Sequence, residues 1–114
     1  MRYIMKVVFV FCLITSASIL FAGKGYVGNE LPPDWLILKN LIKVASCKDH
    51  KIIGKRWDES CKCYIVHFSC DYKHSDGQYY NDNKQRARLH KLDTGYWEIC
   101  FVGAGGETAC VIIE

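Results

Sequence analysis

Six cysteines between positions 47 and 110 constrain this chain more than any other feature: Cys47, Cys61, Cys63, Cys70, Cys100 and Cys110. An even set over so short a span reads as three disulfides if folding takes place in an oxidising compartment. The seventh cysteine, Cys12, sits in a segment that points to such a compartment. Arg2 and Lys6 precede an apolar run from Val7 to Ile14, and small or polar residues follow up to Ala22, which is the pattern of a cleaved secretory signal. Residues 1–22 are therefore expected to be a signal peptide, and 23–114 a single secreted, disulfide-stabilised domain. Thr15, Ser16 and Ser18 interrupt the apolar run, which fits a cleaved segment better than a membrane anchor.

Removal of that segment changes the charge. Without Arg2 and Lys6, the 15 basic residues of the chain fall to 13 against 12 acidic ones, so the net charge drops from +3 to +1. A nearly neutral domain has no bulk electrostatic attraction to DNA or to anionic membranes, and no later apolar run approaches the roughly 20 residues of a spanning helix. The remaining 92 residues fit one domain, whose small core is marginal without cross-links. A monomer is expected.

Along the chain, Pro32-Pro33-Asp34 precedes a run in which Trp35, Leu38, Leu41/Ile42 and Ala45 recur at helical spacing, predicting a helix over about 33–46. Residues 51–57 are expected to add a short strand. From Cys61 to Cys70 the pattern alternates, with Cys61, Cys63, Ile65 and His67 on one face and Tyr64, Val66, Phe68 and Cys70 on the other. Residues 71–83, with Ser75-Asp76-Gly77 and Asn81-Asp82-Asn83, read as turns around Tyr79-Tyr80. A strand over 85–91 puts Arg86, Arg88 and His90 on one face and Leu89 on the other. Two final strands, 96–102 and 108–113, flank a loop centred on Gly105, a register that sets Cys100 opposite Cys110. Whether those two cysteines bond to each other or elsewhere stays open at this level. The fold class is α+β: one N-terminal helix packed on a four- to five-stranded antiparallel sheet, stabilised by disulfides.

Candidate chemistry gathers on few residues. Arg86 and Arg88, with His90, would give one strand face two guanidiniums and an imidazole, a set suited to phosphate or carboxylate. Arg88, His67 and His90 are the candidate catalytic residues for acid–base work on a phosphodiester, although an alternating pattern also suits His67 as a hydrogen-bonded sheet histidine. Tyr79 and Tyr80, beside turns, are candidates for stacking on a base or packing on a partner. Cys61-Lys62-Cys63 with Cys70 and His67 lacks the two-residue knuckle of structural zinc sites, and oxidation competes for those thiols, so no metal and no cofactor is expected.

From Ser75 onward the layout resembles that of the small fungal guanyl-specific ribonucleases and the ribonuclease-like secreted effectors of powdery mildew fungi. Gly77, Tyr79, Arg88, the strand 96–102, the loop Gly103-Ala104-Gly105-Gly106 and Cys110 stand at similar intervals. The resemblance carries the catalytic arginine over to Arg88, whereas Gly103 stands where a catalytic histidine is expected and Ser69 near where a glutamate is. It thus implies a ribonuclease scaffold kept for binding: a secreted pathogen effector, delivered outside the cell or into a host cell, that binds a host protein or RNA through Tyr79, Tyr80, Arg86 and Arg88. An active secreted ribonuclease and a small toxin- or inhibitor-like scaffold are the alternatives.

Overall fold

The computed structural model describes residues 20–22 and 25–114. The expected export signal lies outside the described residues except at its end, where Leu20–Ala22 (β1) pairs antiparallel with Gly25–Val27 (β2). The helix, α1, spans Asp34–Val44. The Pro33 carbonyl accepts from the backbone N–H groups of Leu36 and Ile37, both at 3.0 Å, which closes the first turn. Asp34 in that turn and Lys43 in the last one complement the helix dipole. Because β1 and β2 precede it, the helix is not the N-terminal element that the sequence pattern suggested.

The buried stripe of α1 also differs from the expected one. Leu36, Ile37, Asn40 and Leu41 face the interior, while Trp35 and Ile42 are exposed at 58% and 56%. Asn40 explains the shift, since a polar residue on the inner face hides the stripe from a reading of apolar spacing. Its side-chain amide donates to Leu36 O at 2.8 Å and to Glu114 O at 3.3 Å, and its carbonyl accepts from the Glu114 N–H at 3.3 Å. The buried amide is thereby satisfied, and it ties the helix to the strand that ends beside it.

Five strands follow: β3 (Lys48–Asp58), β4 (Cys63–Lys73), β5 (Tyr79–Lys91), β6 (Trp97–Val102) and β7 (Thr108–Ile112). They form one antiparallel sheet in sequential order, β3-β4-β5-β6-β7. One face carries Val66, Phe68, Ala87, Leu89, Ile99 and Phe101, which pack under Leu36, Ile37 and Leu41 of the helix as a single core. A core of this kind separates the domain from small scaffolds held mainly by disulfides.

Two expected boundaries were too short. β3 takes in residues 48–50 and carries two bulges, where an extra residue stands on β3 between Lys48 and Lys51 and another between Ile52 and Gly54. β5 absorbs Asn81-Asp82-Asn83, which the sequence marks as a turn. Phe68 pairs with Gln85 but Cys70 pairs with Asp82, so two steps on β4 oppose three on β5. The turn-forming chemistry is spent on that bulge: Asp82 accepts from the Lys84 N–H at 2.9 Å and from Gln85 Nε2 at 2.7 Å.

The cysteines pair as Cys47–Cys70, Cys61–Cys63 and Cys100–Cys110. The first ties the exit of the helix to β4. The second closes the tight β3–β4 turn, where Lys62 holds φ of 52°. The third crosses directly between β6 and β7, in the register centred on Gly105. The segment before Cys47 is not held by apolar packing alone, since Tyr26 N–H donates to Ile113 O at 2.7 Å and Trp97 Nε1 to Gly28 O at 2.9 Å.

Candidate functional site

The sheet face turned away from α1 collects most of the residues singled out in the sequence. Side chains of β4 alternate, so Ile65 and His67 point to this outer face while Val66 and Phe68 point to the core. Cross-strand pairing then places Arg88 beside Ile65, Arg86 beside His67, Cys100 beside Arg88, and Glu98 beside His90. The bulge in β5 reverses the parity of that strand. The odd-numbered Tyr79 and Asn81 consequently share the outer face with the even-numbered Arg86, Arg88 and His90, while Tyr80, opposite Tyr72, turns to the helix side.

A shallow cleft of about 290 Å³ lies on this face, lined by Arg56, Asp58, Ile65, Arg86, Arg88 and Cys100 among others. Arg56 is the contributor that the sequence did not reveal, because the two bulges of β3 break the alternation that would have shown it. It is already engaged, with Nη1 3.4 Å from Asp58 Oδ2 and Nε donating to His67 Nε2 at 3.2 Å. Asp58 is held below the ordinary carboxylate range, first by the Ser60 hydroxyl at 2.5 Å and then by the Ser60 N–H at 2.9 Å, with Arg56 adding to the effect. Arg86 and Arg88 differ: among the described residues neither has an ion-pair or hydrogen-bond partner, and both are exposed. Asp82, an acid on the same strand, is occupied with the Lys84 N–H and Gln85 Nε2.

The two outer-face histidines are set differently. His67 Nε2 accepts from Arg56, so its ring proton belongs on Nδ1. His90 Nε2 lies 2.8 Å from Glu98 Oε1, an arrangement in which the carboxylate fixes one ring nitrogen and leaves Nδ1 open. The His50 and His74 rings lie elsewhere, against Ala45 O and Tyr80 respectively.

Two groups with metal-ligand spacing occur among the described residues, Cys47/His50/Cys70 and His90/Glu98/Cys100. Their cysteines, like Cys61 and Cys63, are joined in disulfides, which removes the thiolates such ligands require. Of the sequence-derived candidates, the outer face thus gathers Arg86, Arg88, His67, His90 and, further along β5, Tyr79, but not Tyr80. Comparison with known proteins gives no matching family, no matching curated protein and no matching solved structure.

Proposed function

We propose that the chain is a secreted pathogen effector that binds host RNA through the outer sheet face and does not turn it over. The carrying observation is the pair of guanidiniums, Arg86 and Arg88, side by side on one strand and without an ion-pair or hydrogen-bond partner among the described residues. Such groups match phosphate oxygens in bidentate fashion, and leaving both unpaired keeps them available to a ligand. Because the net charge after removal of residues 1–22 is only +1, the attraction is local to this face. Tyr79 extends the same face. It lies seven residues from Arg86, about 23 Å at strand spacing; Lys48 Nζ sits 3.7 Å from its ring centroid over one face, and the half-exposed ring can stack a base of a single strand laid along β5 on the other.

Binding without cleavage is supported at Gly103 and Ser69. Gly103 has no side chain and Ser69, 9% exposed, carries only a hydroxyl, so neither position supplies the imidazole or the carboxylate that acid–base cleavage needs. Fluorescence anisotropy with a labelled single-stranded oligoribonucleotide tests the reading. Binding by the disulfide-intact protein, lost in Arg86→Ala/Arg88→Ala, with the oligonucleotide recovered uncut, supports it; no binding refutes it.

The pairing of His90 with Glu98 beside Arg88 favours one other reading, an active ribonuclease with His90 Nδ1 as base and Arg88 on the phosphate. Cleaved product that disappears in His90→Gln but not in His67→Gln would establish it.

A further inference from the structure

On the opposite, helix-facing side of the sheet, a second and larger cleft of about 760 Å³ opens where α1 has ended. The β4–β5 arm extends past β6 there, so Tyr72 and Tyr80 stand beyond the cover of the helix. Phe101 and Gln85 continue the lining, and the β6–β7 loop with Glu107 also borders the cleft. This volume falls in the range of small-ligand sites.

We propose that this cleft binds a neutral oligosaccharide, at a site separate from the arginine face. Beside the charged Asp82, Lys84 and Glu107, the lining offers uncharged polar groups with unused bonding capacity. Among the described residues the Tyr72 hydroxyl and the Asn83 amide have no hydrogen-bond partner, and Gln85 uses only its NH₂, on Asp82, so its carbonyl stays open. Planar amides and a phenol supply paired donors and acceptors of the kind that hydroxyl-rich ligands need. The two carboxylates of the lining, Asp82 and Glu107, outnumber its one lysine, Lys84, which disfavours an anion such as RNA.

The aromatic component is preorganised. Tyr80 is 47% exposed, yet its hydroxyl donates to Asp76 Oδ2 at 2.6 Å and its ring leans on His74, with centroids 4.4 Å apart. A tyrosine ring fixed in this way presents its electron-rich face to the polarised C–H groups of a sugar ring without an ordering cost. Phe101 and Tyr72 add apolar area behind it. An apolar ligand fits less well, since it would strand the free amides.

The test uses the full disulfide-intact protein and isothermal titration with three uncharged hexasaccharides: those of β-1,4-linked N-acetylglucosamine, β-1,4-linked glucose and α-linked mannose. Binding of at least one is expected, weakened roughly tenfold or more by Tyr80→Ala and by Gln85→Ala, and unchanged by Arg88→Ala. Circular dichroism of the two cleft variants should match that of the parent. No binding of any of the three at about 10 mM overturns the proposal, and so does equal binding of an oligogalacturonate or of a short unstructured peptide. Loss of sugar binding in Arg88→Ala would also overturn it by placing the ligand on the other face. The outcome is independent of the RNA experiment, which reads the arginines alone.

Discussion

At the residue scale, the chain shows how one polar side chain can do structural work that looks functional, and the reverse. Asn40 is fully buried yet serves the fold, bridging Leu36 and Glu114. Asn40→Ala leaves the Glu114 N–H and carbonyl without that partner and should cost about 1–3 kcal/mol in chemical denaturation. Arg88, by contrast, bonds to nothing among the described residues, so Arg88→Ala should leave the unfolding free energy unchanged within about 0.5 kcal/mol while removing RNA binding. Two carboxyls report on pH. The Ser60 bonds depress Asp58, and the Tyr80 hydroxyl followed by the Gln78 N–H depresses Asp76. A depressed carboxylate stabilises the fold fully above its unfolded value and loses that contribution as pH falls through the lower folded value. NMR titration should therefore place both carboxyls below the ordinary aspartate range, and Tyr80→Phe should raise Asp76 while leaving Asp58 in place. The same bond raises the Tyr80 phenol, whose ionisation should come later than that of an ordinary tyrosine.

At the scale of elements, what the sequence made legible and what it hid follow from periodicity. The β6–β7 hairpin was readable because its strands alternate without interruption around Gly105, and the Cys100/Cys110 register follows from counting. The helix was legible in position but not in orientation, since Asn40 occupies an inner site and Trp35 an outer one. The β3 and β5 bulges were not readable. A bulge adds one residue and reverses every face assignment beyond it, and nothing in Asn81-Asp82-Asn83 distinguishes a turn from a bulge. The candidate site inherited that limit: Arg86, Arg88 and His90 lie upstream of no further irregularity and share a face as expected, whereas Tyr79 and Tyr80 separate to opposite faces. The disulfides should differ in weight with the loop each closes. Cys47–Cys70, 23 residues apart, should contribute about 3 kcal/mol, and Cys61–Cys63, two apart, about 1 kcal/mol. Paired Cys→Ala replacements followed by thermal unfolding measure both, and a larger loss from the 61/63 pair would contradict this ranking.

At the scale of the whole molecule, a five-stranded sheet covered by one short helix leaves two surfaces to the solvent, and their chemistry differs. The outer face is cationic and narrow, built on Arg86 and Arg88. The uncovered end of the inner face is aromatic and amide-rich, built on Tyr72, Tyr80 and Gln85. Disulfides at the helix exit, the β3–β4 turn and the last hairpin fix the sheet that separates them. Binding through two or three phosphates should give a shallow salt dependence, a slope of log affinity against log salt of about −1.5 to −2, far from that of a strongly basic nucleic-acid protein. The most direct test of the account is a backbone amide NMR titration of the isotope-labelled, disulfide-intact protein with a single-stranded oligoribonucleotide. The account predicts shifts confined to the outer face, at Ile65, His67, Tyr79, Arg86, Arg88 and Cys100, with Tyr72, Gln85 and Phe101 unmoved. Shifts centred on the inner cleft, or no shifts at low salt, would contradict it.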